Sequence, residues 1–527
     1  MTQSDSTRQT VKVMVWLSFV GLALLGAIAV LAVMASTRAG PSSRGEMDLP
    51  AVKVVAPDEI SGCSGKGARV GIVEAGASAP LYNGFNLKHP ALRHIPIENM
   101  YNACRALAKV EGHGIGTYDD AFGGMGHGTS VLGIMASRTP GHLGLAVDAS
   151  YYCSIGDSDR ELVQGMVDVI DKGHAAIVNL SFSARSTPDG HNILSLATDY
   201  LARTKGVLFV TCAGNGDNMP VLPPGDGYNV LTVASVEASG TKAWGRNVRP
   251  KDGRSLIHVL APGDRIAVPR SQFDNPDQAW TVGSGNSLAA PYVSGMLACL
   301  WEYVEKNKLS GQLHHPLVQR ALVINSASKN VRDSKNRLWC ETEAATNPRL
   351  PLDVDLGAGV LDVGQVFQSV ASPRGQAGLE VGHRGWDMLT LSKGAGHPVY
   401  RLAGLVRAGA TLTATLTFER DVTVKKSIQS QDMSFHVWGE DVYGKDVDGD
   451  GRVDGPDICT AERIPVVHLR VLQNGKPQAV ASSESDVDSV QHISFRIPED
   501  GEYSLEVSCR NDAGLQQIPC GLAWRVE

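Results

Sequence analysis

The apolar period of this 527-residue chain changes once, near residue 380, and that change limits its fold more than any other feature. From Cys63 to about residue 370, short β-branched apolar runs alternate with amphipathic stretches, the pattern of a parallel sheet covered by helices. Val70 to Val73, Ala176 to Leu180, Val207 to Cys212 and Val230 to Val236 read as buried strands. Leu162, Val163, Met166, Val167 and Ile170 fall at helical spacing. Beyond 380 the period is two: Leu412, Ala414, Leu416 and Phe418 alternate with threonines, Val466 to Leu472 precedes the turn pair Asn474-Gly475, and Ile493, Phe495 and Ile497 alternate again. The expected fold class is therefore an α/β domain over 63–370, with a parallel sheet and helices on both faces, followed by an all-β sandwich over 400–527. Residues 371–399 are its linker or first strands. If the last two strands form a hairpin, Cys509 and Cys520 sit side by side across it, as a disulfide or as two buried thiols.

The N-terminal part is of another kind. Val13 to Ala35 is uncharged and long enough to span a bilayer, flanked by Arg8 and Lys12 before it and Arg38 after it. Residues 1–36 are expected to be a transmembrane anchor or a signal segment, and 37–62 a Ser-, Pro- and Gly-rich stalk. Either reading exports the rest, so the expected location is the cell membrane with the folded part outside the cytoplasm, or secretion, and disulfides are permitted there. The 48 Lys and Arg against 55 Asp and Glu give a net charge of -7, without a basic block to neutralise phosphates. Nucleic acid is excluded as an expected partner. Oligomeric state stays open.

Three short segments carry chemistry. In GHGTSVLGIMAS, His127 stands between glycines at a loop-to-helix start. In GNSLAAPYVSG, Ser287 opens a helix whose Leu288, Val293, Met296, Leu297 and Leu300 repeat at helical spacing, with Pro291 in its first turn. A serine there is either a helix cap or an exposed nucleophile beside backbone N–H groups. In TCAGNGDN, Asn215 follows Gly214 at a strand end and could turn its amide toward a developing oxyanion, or serve only the turn.

Together and in this order, these segments resemble the subtilisin-like serine protease family over about residues 63 to 370. GKGARVGIVEAG looks like the strand that ends in the acidic triad member, LKHPAL like its continuation, and GLAVDASYYCSI like the strand after the histidine helix. The resemblance implies an exported endopeptidase acting on proteins or peptides. Ser287 would be nucleophile, His127 general base and acid, Glu74 the acidic member, and Asn215 an oxyanion donor. AAIVNLSFS and GVLFVTCAGN look like cleft-lining strands, which implies substrate contacts at Ser181, Phe182, Ser183, Ala213 and Gly214. Three positions depart from the pattern: Glu74 replaces Asp, Asn286 replaces Thr before the nucleophile, and Tyr292 replaces a common His. Asp119 and Asp120 are competing sources of the triad carboxylate. A triad glutamate also suggests the sedolisin family, but that site lacks a counterpart of His127 and has aspartate at the oxyanion position. Family members commonly carry an inhibitory propeptide. The gap from Ala35 to Cys63 is too short for one, so unaided folding or help from another chain is expected.

The β part holds DVDGDGRVDGPD. Asp446, Asp448, Asp450, Asp454 and Asp457 fall at calcium-loop positions, with the Arg452 carbonyl at the seventh and Gly451 at the sharp turn. Five carboxylates this close repel without a cation, so Ca2+ is the expected cofactor, against the alternative of a solvated turn. The final Asp resembles dockerin loops, and the stretch around it resembles the pre-peptidase C-terminal sandwich of secreted bacterial proteases. Two non-enzymatic alternatives remain: a peptide-binding pseudoprotease and a calcium-dependent surface adhesion protein.

Overall fold

The structure is a computed structural model that describes residues 62–76, 84–102, 126–271, 278–394, 396–424 and 459–527. The apolar run 13–35, the acidic pair Asp119 and Asp120, and the acidic loop 446–457 lie outside them. Among the described residues no helix is long and apolar enough to cross a membrane.

The strands of the first part are β1 (Arg69–Ala75), β2 (Met100–Asn102), β3 (Ser150–Gly156), β4 (Ile177–Leu180), β5 (Leu208–Cys212), β6 (Val230–Val236) and β7 (Val259–Pro262). They form one parallel sheet in the order β2-β3-β1-β4-β5-β6-β7. Four of these strands match the β-branched runs read from the sequence, because strands buried on both faces must be apolar throughout. The helices are α1 (His127–Ala136), α2 (Asp159–Asp171), α3 (Ile193–Lys205), α4 (Asn286–Lys306), α5 (Pro316–Ser326) and α6 (Val363–Ala371). α1 and α4 share a core with Val70, Ile72, Val210 and Val233, while α2 and α3 share another with Val73, Val178, Leu180 and Phe209. Alternate residues of each strand thus feed opposite layers. Ser158 caps α2 through a reciprocal capping box with Glu161, which fixes where that helix starts.

β1 lies between β3 and β4, so the chain runs to one side of β1 and returns on the other. In open parallel sheets the crevice outside the carboxyl ends of strands at such a point is where ligands bind. Glu74 sits near the end of β1, Ser181 follows β4, and Ala213 follows β5.

Beyond α6 two sheets face each other. Arg384–Ser392, Gln517–Val526, Thr411–Thr417 and Val490–Arg496 form one, in that spatial order. Glu380–Val381, Val399–Leu402, Tyr503–Asn511, Val466–Gln473 and Ala481–Ser483 form the other. Leu412, Leu416, Leu522 and Trp524 meet Tyr400, Leu469, Leu505 and Val507 between them. The segment 371–399 therefore contains first strands. The alternating threonines do not face water: Thr417 Oγ1 donates to the Leu317 carbonyl at 2.7 Å and Thr415 Oγ1 to Asn325 Oδ1 at 3.2 Å, both on α5. Buried Arg320 of α5 donates to the Tyr228 carbonyl at 3.0 Å and the Ser489 hydroxyl at 3.3 Å, tying sheet, helix and sandwich together.

The expected hairpin pairing of Cys509 and Cys520 is not what forms. Their strands, Tyr503–Asn511 and Gln517–Val526, belong to different sheets, Cys509 lying opposite Val467 and Cys520 opposite Leu389. Both cysteines are free thiols. Period two gives the face of a strand but not its neighbour, and here the connection crosses the sandwich. Asp421–Val424 and Cys459–Arg463 pair as an antiparallel ribbon, so the acidic loop falls between paired strands.

Candidate active site

Two helix starts and two strand ends converge at the carboxyl edge of the sheet. α1 begins at His127, and its cap, Gly126, has φ +58; a Cβ there would lie 1.9 Å from that of Ser271. Only glycine fits both the left-handed backbone and that approach. α4 begins at Asn286 with Gly285 as its cap, so Ser287 is the second helical residue and the capping alternative for it does not hold. Pro291 consequently lies in the second turn rather than the first. It has no N–H to give the Ser287 carbonyl four residues back. The Ser181 hydroxyl donates to that carbonyl instead, at 2.8 Å.

The side chains form a relay. Glu74 Oε2 lies 2.8 Å from His127 Nδ1, and His127 Nε2 lies 3.0 Å from Ser287 Oγ. A carboxylate only accepts, so Nδ1 carries the proton and Nε2 is left to accept from the serine hydroxyl. The Glu74 side chain is 1% exposed and that of His127 30%. Burial pulls the His127 ionisation down, but the charge of Glu74 and its hydrogen bond outweigh that and leave it raised. The other oxygen of Glu74, Oε1, is buried without a hydrogen-bond partner among the described residues. Among the described residues the acid is therefore oriented by its bond to the imidazole and by packing. Glu74 thus engages Nδ1, while Asp119 and Asp120 lie outside the described residues.

Asn215 is exposed at the rim, following Gly214 with φ +79. A methyl on Gly285 would lie 3.1 Å from Asn215 Nδ2 and 3.3 Å from Ser287 Oγ. That glycine keeps open the space from which a reacting carbonyl reaches both atoms. Among the other expected contacts, Ser181, Phe182 and Ala213 are buried, whereas Ser183 and Gly214 are partly exposed. Ser181 thus holds the Ser287 backbone, a contact invisible before Pro291 is seen to leave an acceptor open. Sequence reasoning also passed over His89 of LKHPAL. Its Nδ1 accepts from the Ala91 N–H at 3.0 Å, leaving Nε2 to donate to the Ala279 carbonyl at 3.1 Å. Among the described residues no cluster of three or more His, Cys, Asp or Glu could hold a metal ion.

The family model described as the subtilase family matches residues 65–345, which include all four residues of the relay and its amide. Subtilisin-like protease 1 of Pseudogymnoascus destructans is 28% identical over 187 residues, 33% of this chain and 42% of that protein. A subtilisin-like protease of Coccidioides posadasii is 31% identical over 196 residues, 35% of this chain and 43% of its own. Subtilisin DY of Bacillus licheniformis is 27% identical over 188 residues, 34% of this chain and 64% of its own. The chain thus spans less than two thirds of the length of each of these relatives.

Proposed function

The chain belongs to the subtilase family, and from that premise we propose that it is a serine endopeptidase that hydrolyses peptide bonds through an acyl-enzyme on Ser287. The observation that carries this reading is the unbroken relay from Glu74 through His127 to Ser287, with bonds of 2.8 and 3.0 Å. Ser287 Oγ attacks the scissile carbonyl carbon while its proton passes to His127 Nε2. Glu74 stabilises the resulting imidazolium through Nδ1–H. The carbonyl oxygen, now negative, is met by Asn215 Nδ2 and by the Ser287 N–H, which at the start of α4 has no acceptor within the helix. Nε2 then protonates the leaving amine. Water enters, gives a proton to the same nitrogen, and attacks the acyl carbon; as the ester bond to Ser287 Oγ breaks, Nε2 returns that proton to the oxygen and the acid is released. A peptide-binding relic would have no need for this alignment. A fluorophosphonate probe is expected to label the folded protein covalently, and no labelling of folded protein would overturn the reading.

A calcium ion in the acidic loop is part of the proposal, supported by the spacing of Asp446, Asp448, Asp450, Asp454 and Asp457. The ribbon that carries the loop rests on the catalytic part: buried Arg420 pairs with buried Asp199 at 2.5 Å and with Glu462 at 2.9 Å. Calcium at a hundredfold excess over Kd is expected to add about 2.7 kcal/mol to the full-length protein. Asp448→Ala with Asp450→Ala should abolish that gain, and identical melting curves with calcium and with chelator would reduce the loop to a solvated turn.

A further inference from the structure

Asn286, the residue that departs from the family pattern next to the nucleophile, has a hydrogen-bond set aimed at the oxyanion donor. Asn286 is 3% exposed, and its side chain bridges β6 and the turn that follows β5. The Ser235 N–H of β6 donates to Asn286 Oδ1 at 2.7 Å, and Asn286 Nδ2 donates to the Gly214 carbonyl. Its main-chain N–H donates to Asn215 Oδ1 at 2.9 Å. Backbone chemistry fixes the sense of all three bonds. An N–H can only donate, so Ser235 must face the amide oxygen, and a carbonyl can only accept, so Gly214 must face the amide nitrogen. By the same logic the Asn286 N–H holds the oxygen of Asn215 and leaves Nδ2 turned toward the open space beside Gly285 and Ser287 Oγ.

Asn215 is itself exposed, at the start of a loop exposed through Met219. Gly214, just before it, has a left-handed backbone that glycine adopts without strain, and having no side chain it does not itself fix where its carbonyl points; the Asn286 amide holds that carbonyl toward α4. We propose that Asn286 is a positioning residue for catalysis: it locks the Gly214-Asn215 peptide and thereby aims the Asn215 amide at the oxyanion. This deepens the endopeptidase reading and rests on it. An unaimed amide spends part of its time turned away, which weakens a bond made only in the transition state, so kcat falls and KM does not.

The experiment is a double-mutant cycle on a peptide substrate with wild type, Asn286→Ala, Asn215→Ala and the double variant. Removing one oxyanion donor costs about 10²- to 10³-fold in kcat. Asn286→Ala should lose part of that, about 10- to 10²-fold, at nearly constant KM. In the Asn215→Ala background the same change should cost less than about threefold, because the group it aims is gone. Asn286→Asp covers the case in which alanine does not fold. It keeps the acceptor for Ser235 and the side-chain size but sets a carboxylate oxygen against the Gly214 carbonyl, and the same non-additive loss of kcat is expected. Equal fold losses in both backgrounds, or a change in KM alone, would overturn the inference while leaving the endopeptidase reading in place. A wild type without Ser287-dependent hydrolysis would overturn both.

Discussion

Ser287→Ala is expected to fold as the wild type does and to lose peptide hydrolysis by about 10⁴-fold or more, the scale seen when a serine nucleophile is removed. The structure says why the two effects should separate. Ser287 does not cap its helix, since Gly285 does, and alanines already follow at 289 and 290. The bond from Ser181 goes to the Ser287 carbonyl, which the substitution keeps. Among the described residues the bond to His127 Nε2 is the one the hydroxyl loses, at a partly exposed imidazole that water can satisfy. Melting should therefore shift by no more than the about 1 kcal/mol of one hydrogen bond. Steady-state hydrolysis of a quenched peptide beside a melting curve checks both halves. Hydrolysis by purified Ser287→Ala within tenfold of wild type would remove the nucleophile assignment.

The parts of this fold that were legible in sequence are those where one residue's neighbours along the chain decide its environment. Val70 to Val73 is apolar because β1 is covered on both faces, and Leu162, Val163 and Met166 line one side of α2 because a helix returns to the same face every three or four residues. That His127, Asn215 and Ser287 stand at turns and helix starts was legible because glycines lie within two residues of each. What escaped depends on groups far apart in sequence. Thr415 and Thr417 alternate with leucines as an exposed strand face would, yet α5 covers them. Cys509 and Cys520 share the right period and stand in different sheets. Asn286 is visible in sequence only as a departure from the family pattern, and the bond that orients its amide comes from Ser235, on a strand 51 residues before it.

On the endopeptidase reading, Glu74→Gln is expected to cost roughly 10⁴-fold in kcat/KM, the scale of a wrong imidazole tautomer. A glutamine amide turned toward Nδ1 donates instead of accepting. The imidazole then carries its proton on Nε2 and cannot take one from Ser287. Even with its oxygen toward Nδ1, glutamine has no charge to stabilise the imidazolium. Glu74→Asp keeps the charge and loses reach. Glu74 stands inside β1, paired in register with Ile155, so its backbone cannot slide forward without breaking that ladder. One methylene less draws the carboxylate back by about 1 Å from a contact that is now 2.8 Å, and misplacement on that scale costs on the order of 10²-fold. The pH profile gives a second, independent reading. Catalysis needs neutral His127, so activity is lost as pH falls through its raised ionisation. In Glu74→Gln the charge that raises it is gone and burial, which lowers it, remains. The acid limb of kcat/KM should move to lower pH in the glutamine variant and stay above it in the aspartate variant. Near-wild-type turnover by Glu74→Gln, with an unmoved acid limb, would take Glu74 out of the relay despite its place beside Nδ1.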